Sequence, residues 1–230
     1  MTALGPATAT RTVERALDLL GVVCAEPAIS LSECARRVQL PPSTALRLLR
    51  TLELTGFVTR DTEGMFRAGT RVIQLGATAL GRQSLVRLAE PALQRIVERT
   101  GESAYLAIRG PADTAVFIAM VEGTHAVRHT SWVGRAIDLG DLAVGSALRD
   151  EVGELGYVVH RDPSEPDVTG IAAPIRWAGG IAGALNLVGP TYRLGDDVTS
   201  EFGDVVRHEA EALGGQLGDP TFPLRKVTGA

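Results

Sequence analysis

The feature that most restricts this chain is Pro41-Pro42, which falls between two short stretches of helical periodicity. Inside a helix proline removes a hydrogen bond and clashes with the preceding turn; at the first helical position neither cost arises. The pair therefore ends one helix and opens another within a few residues. Upstream, Leu31, Cys34, Ala35 and Val38 share one face at helical spacing. Ser30 and Glu33 stand at the S-x-x-E spacing of a reciprocal cap, the hydroxyl accepting an N–H while the carboxylate reaches back. Downstream, Ala45, Leu48, Leu49 and Leu52 form the apolar stripe of the second helix, and Gly56 stops it. Phe57–Arg60 and Met65–Ala68 then flank the turn Asp61-Thr62-Glu63-Gly64 and read as a hairpin. Helix, tight turn, helix and hairpin make a winged helix-turn-helix.

The second of these helices leaves Ser43, Thr44, Arg47, Arg50 and Thr51 on its outer side. In such a fold the start of this helix reaches base edges and phosphates in the major groove. Arginine pairs bidentately with guanine, and hydroxyls suit base or phosphate contacts. Arg11, at the entrance of an earlier helix, and Arg60 and Arg67 on the wing complete the expected DNA-contacting set. A few solvated arginines on an amphipathic helix are commonplace. The ordered set of cap, double proline, S-T-x-x-R-x-x-R, glycine stop and hairpin is not, and it points to DNA.

Charge agrees with a small footprint. The chain carries a formal net charge of −4, but Arg11 to Arg71 holds nine arginines against seven acids. A mildly basic head on an acidic body suits site-specific binding better than a broad electrostatic grip. Hydrophobic content of 45% is ample for real cores. No apolar run approaches a membrane span. The opening MTALGPATAT has neither the basic nor the apolar region of a signal peptide and reads as a tail. Cys24 and Cys34, both on apolar helix faces, match no metal motif and no disulfide framework, and read as small core residues. A cytoplasmic protein with no metal and no cofactor is expected.

The division expected is a flexible tail over 1–10, a winged helix-turn-helix over 11–69, a linker and dimerisation helix over 70–83, an effector-type domain over 84–218, and a tail over 219–230. The first helix presents Val13, Ala16, Leu17, Leu20 and Val23 on one face. The linker's wide apolar surface favours packing on a second copy, since a winged helix normally reads a two-fold site as a dimer. Beyond Gly101 the periodicity becomes that of strands: Ala104–Ile108, Ala115–Val121 and Ala126–Trp132 as a meander, a short helix over Leu142–Glu154, a strand at Tyr157–Val159, and a hairpin of Gly170–Trp177 with Ile181–Val188. A last helix, Asp196–Leu217, closes an α+β fold around a central antiparallel sheet.

These stretches resemble the IclR family of bacterial transcriptional regulators over nearly the whole chain. The head does so in RTVERALDLL and LSECARRVQLPPSTALRLLRTLELTGFV, the body in SWVGR, ELGYVV, TGIAAPI and AGALNLVGP. The resemblance implies a GAF-like effector domain, a dimer or dimer of dimers, and double-stranded operator DNA as partner. It also implies a small-molecule effector, often a carboxylate or aromatic metabolite. It transfers DNA contact to Ser43, Thr44, Arg47 and Arg50, and effector contact to Val133, Gly134, Gly145, His160, Gly170, Ile171, Asn186 and Val188. The chain departs from the family where a longer helical segment usually precedes Gly156-Tyr157. It also departs at Gly140-Asp141-Leu142-Ala143, and at Asn186 and Val188, where serines are usual.

Two rivals stand beside this reading. An enzyme would need a nucleophile with supporting residues or a nucleotide fingerprint, and neither pattern occurs. His125, His129 and His160 lack the companion ligands of a zinc site. The second rival is a DNA- or partner-binding regulator that ignores ligands because its pocket has degenerated.

Overall fold

A computed structural model of the chain describes residues 10–81, 84–111, 113–129, 131–161, 167–177 and 180–218. The two expected tails, apart from residue 10, and the centre of the hairpin turn at 178–179 lie outside these residues. The fold divides into two compact units, Met1–Arg82 and Gln83–Ala230.

The first unit comprises α1 (Arg11–Cys24), α2 (Leu31–Arg37), α3 (Pro42–Leu54), β1 (Val58–Arg60), β2 (Phe66–Ala68) and α4 (Thr70–Gly81). Pro42 is the first residue of α3, and Gln39, at φ 52°, makes the left-handed bend that separates α2 from it. Leu19, Val23, Cys34, Leu49 and Phe66 are fully buried at its centre. Ile29 exchanges two backbone hydrogen bonds with Phe66, stitching the start of α2 to the wing.

Three expectations need correction here. Ser30 Oγ does accept from the Glu33 N–H at 3.3 Å, but the Glu33 carboxylate turns away to Arg36 and Arg37 and does not complete the reciprocal cap. Two guanidiniums offer stronger, charge-assisted bonds than one backbone N–H. The hydrogen bonds from Arg36 and then Arg37 hold that carboxyl down at about 2. The inward face of α1 is Leu19 and Val23, whereas Val13 and Leu17 are 55% and 59% exposed. That helix therefore carries two apolar stripes, one facing the core and one facing outward. Cys24 is exposed, and only Cys34 is a core residue.

The second unit comprises α5 (Ser84–Thr100), β3 (Ser103–Arg109), β4 (Thr114–Val121), β5 (Ala136–Asp138), α6 (Ala143–Leu148), β6 (Val158–Arg161), β7 (Val168–Trp177), β8 (Gly180–Pro190) and α7 (Asp196–Gly218). The strands form one sheet in the order β5-β4-β3-β8-β7-β6, every neighbouring pair antiparallel. Alternation along the strands splits its side chains between two faces. Leu106, Ile171, Leu185 and Leu187 pack with α5 and α7. Tyr105, Phe117, Ala172 and Val188 face α6.

Of the expected strand Ala126–Trp132, the described residues 126–129 and 131–132 are not in a strand. The edge partner of β4 is the short β5 instead, and the segment loops over the second sheet face. Aromatic contacts account for this. His129 bonds the buried Tyr105 hydroxyl at 2.8 Å, and Trp132 packs on His129 and Phe117 with ring centroids 4.3 and 5.8 Å away. The helix expected over Leu142–Glu154 ends at Leu148, with Asp150 in the left-handed region at φ 64°.

Candidate functional site

The outer line of α3 runs through Ser43, Arg47, Arg50 and Leu54, spaced at i, i+4, i+7 and i+11, opposite the buried Ala45, Leu48, Leu49 and Leu52. All four are exposed, Leu54 to 88%. Thr44 lies beside them, half-buried. Among the described residues neither Arg47, Arg50 nor Arg11 takes part in a side-chain hydrogen bond or ion pair. Their donors are free for a ligand.

The other expected DNA contacts are placed differently. Thr51 donates its hydroxyl to the Arg47 carbonyl at 3.2 Å and lines a shallow groove between α1 and α3. Arg60 donates to the Gly64 carbonyl and lies over the Phe66 ring, 5.5 Å from its centroid. Arg67 pairs with Asp61 at 3.1 Å and donates to the Pro27 carbonyl at 2.9 Å. Asp61 in turn accepts from the Met65 and Glu63 N–H groups, and these bonds, Met65 first, lower its carboxyl from the usual range. The wing arginines thus have internal partners that shape the wing. Leu54 carries no signal in the sequence, because the helical stripe is complete with Ala45, Leu48, Leu49 and Leu52.

In the second unit a small cleft of about 30 Å³ opens on the α6 face of the sheet. His160, Gly170, Asn186 and Val188 line it, as do Phe117, Trp132, Ile137, Val168 and the start of α6 at Leu142–Val144. The other four residues transferred from the resemblance sit elsewhere. Val133 is 44% exposed, and Gly134 is in a turn with φ 84°. Ile171 is fully buried on the opposite face with α5 and α7. Gly145 is buried against the preceding loop, where a Cβ would fall 2.0 Å from the Leu139 carbonyl oxygen. Its glycine lets α6 pack and does not open the cleft. Phe117 and Trp132 carried no signal of their own, because their strand and loop meet only in the folded chain.

Polar groups in the cleft are few. Asn186 is 4% exposed, and its Oδ1 has no hydrogen-bond partner among the described residues. His160 Nδ1 hydrogen-bonds the Asp141 carbonyl oxygen. Behind the cleft wall, burial pushes the Tyr105 hydroxyl up to about 12, so it stays protonated at neutral pH. The histidines go to separate places: His129 to Tyr105, His160 to Asp141, and His125 near Glu102. Among the described residues no group of three or more His, Cys, Asp or Glu side chains is placed to hold a metal ion. No helix among them is long and apolar enough to cross a membrane.

Residues 12–62 match the IclR helix-turn-helix domain, and residues 77–150 match the C-terminal region of IclR bacterial transcriptional regulators. The chain belongs to the IclR family of transcriptional regulators. Among its relatives, the HTH-type transcriptional regulator BhcR of Paracoccus denitrificans is 29% identical over 88% of this chain and 86% of that protein. The transcriptional repressor AllR of Escherichia coli is 26% identical over 84% of this chain and 85% of its own. The fold is that of solved IclR structures. The Alicyclobacillus acidocaldarius regulator superposes with a TM-score of 0.79 at 21% identity, covering 91% of this chain and all of that one. An IclR homologue from Microbacterium hydrocarbonoxydans, solved with 4-hydroxybenzoate, gives 0.73 at 24% identity over 90% and 98% of the two chains. This IclR-family chain is therefore a DNA-binding regulator built as a winged helix-turn-helix followed by an α+β unit.

Proposed function

We propose that this regulator reads a two-fold operator through Ser43, Thr44, Arg47 and Arg50, and that a small molecule in the cleft beside Asn186 alters that grip. The observation that carries the first half is the pair of unengaged guanidiniums on the outer line of α3. A free arginine can spend its planar fork on guanine O6 and N7. Arg60 and Arg67 contribute charge and wing shape, and Arg11 a phosphate contact. The second half rests on the buried, unpartnered carboxamide of Asn186. The relative solved with 4-hydroxybenzoate supports a ligand-binding body.

The regulator acts by binding rather than catalysis, as a homodimer or a dimer of dimers in the cytoplasm. The exposed apolar residues Val13 and Leu17 on α1, and Ile73 and Leu75 on α4, support self-association. Monomers rarely leave contiguous apolar surface uncovered. Ligand and DNA then change each other's affinity by the same factor. The test starts from duplexes selected by the purified protein out of a random pool. Retarded complexes that survive competitor DNA, and whose affinity falls with salt, are expected. Recovery of no preferred sequence would sink the operator reading.

A further inference from the structure

We infer that Glu63, in the turn of the wing, sets the strength of DNA binding by repelling the phosphate backbone. The wing then lowers affinity for every duplex alike and leaves the choice of sequence to α3. This role rests on the DNA contact assigned above to the first unit, and adds to it a residue that acts by repulsion.

The hairpin from Val58 to Ala68 carries two arginines and two acids, and so no net charge. Those four charges are not equally available. Arg60 folds back on its own turn, its Nε donating to the Gly64 carbonyl at 3.2 Å and its guanidinium lying over the Phe66 ring. Gly64 leaves it room, since a Cβ there would crowd Arg60 Nη2 at 3.0 Å. Arg67 divides its donors between Asp61 and the Pro27 carbonyl. Asp61 is spent as well: besides Arg67 it accepts the Glu63 and Met65 N–H groups at 3.1 and 2.9 Å.

Glu63 is the charge that remains. It is exposed, and among the described residues its carboxylate pairs with no arginine. Asp61 holds its backbone N–H in a tight turn, which the Gly64 N–H closes onto the Asp61 carbonyl at 3.0 Å. The backbone under the carboxylate is therefore fixed by bonds that do not involve its side chain.

The hairpin flanks the recognition helix, where the groups that DNA presents are phosphates, and phosphate contacts supply the sequence-independent part of affinity. An uncompensated carboxylate at that place opposes this part. It cannot tell one sequence from another, because every duplex presents the same phosphates. Among the described residues the arginines of the first unit that lack an internal partner lie on α1 and α3, and none lies on the wing. Attraction and repulsion are thus assigned to different elements.

The test is anisotropy of the full-length protein with a selected and a scrambled duplex over a salt series. Glu63→Gln is expected to tighten both duplexes by the same factor, about two- to fivefold. Glu63→Lys is expected to tighten both further, and to steepen the fall of log affinity with log salt by about 1 for each head bound. Both variants should melt with the wild type, since each keeps the backbone N–H that Asp61 holds. Glu201→Lys makes the same charge change at an exposed position of α7 and is expected to leave the salt slope unchanged.

Unchanged affinity and slope in Glu63→Lys would overturn the inference. So would an equal effect from Glu201→Lys, which would trace the change to net charge. Weaker binding or a lost preference in Glu63→Gln would overturn it too, by making Glu63 an attractive contact. The scrambled duplex is bound through phosphates alone. The wing's role is therefore read even where no preferred sequence exists, and a wild-type preference stands even where the wing proves silent.

Discussion

The outer face of α3 and the cleft on the sheet are both candidate partner sites, yet they are built by opposite means. The α3 face is assembled from four positions within one helix, and its polar groups are solvated and internally unengaged. The cleft is assembled from β4, β5, β6, β7, β8, α6 and a loop, and its key polar group is buried and without a hydrogen-bond partner among the described residues. Removing a solvated arginine deletes a contact with a partner and leaves the fold alone. Removing a buried, unpaired amide deletes a contact and relieves the fold.

The largest effect expected comes from a neighbour of Asn186 on the same strand. Leu185 points to the α5/α7 face and is fully buried. Leu185→Ala should cost about 2–5 kcal/mol in denaturant unfolding, the usual range for such a cavity. A cost below about 1 kcal/mol would mean that the two sheet faces are not distinct in the way described. Next, Arg47→Ala should cost about 1–3 kcal/mol of sequence discrimination with an unchanged melting curve. Arg67→Ala should loosen the wing instead, because it removes the ties to Asp61 and the Pro27 carbonyl. Equal effects of Arg47→Ala and Arg67→Ala on discrimination would break the contrast between free and engaged arginines.

Smaller still is the effect of Asn186→Leu on stability. Replacing a buried unsatisfied amide with an apolar group of similar size should leave unfolding free energy unchanged or raise it by up to about 1 kcal/mol. A loss of about 2 kcal/mol would show that Asn186 has a structural partner after all. The subtlest difference concerns acid. Glu33 has its carboxyl lowered from 4.5 to about 2 by Arg36 and Arg37, and Asp61 is lowered by the Met65 N–H and Arg67. Depressed carboxyls stabilise the fold above their unfolded values, and that stabilisation disappears as pH falls through the folded ones. Melting of the first unit should hold steady from neutrality down to about pH 5 and decline below it. Replacing Arg36 and Arg37 together by alanine should flatten that decline, as followed by circular dichroism.

The same contrast explains how much was legible in the sequence. Pro41-Pro42, Gly56 and the Ser43–Arg47–Arg50 spacing are local, and local spacing fixes which side of a helix a residue occupies. What the wing arginines touch is not local: Arg67 reaches a carbonyl forty residues away. In the body, alternation assigns residues to one face or the other but not to a particular cover. Gly170 and Ile171 are adjacent, and only one lines the cleft. The 126–132 segment alternates like a strand, but its aromatic side chains find more contact on the sheet face than its backbone would find at the edge. Gly145 carries no sign that its missing side chain serves the Leu139 carbonyl. Tertiary contacts decided each of these.

The central claim is that the α3 face reads DNA through unengaged arginines. The most direct measurement is fluorescence anisotropy of a selected duplex with the wild type and with Arg47→Ala, at two salt concentrations, beside a scrambled duplex. The account predicts that Arg47→Ala loses about 1–3 kcal/mol of its preference for the selected over the scrambled duplex while its melting curve overlays the wild type. Wild-type preference for the selected duplex in the Arg47→Ala protein would contradict it.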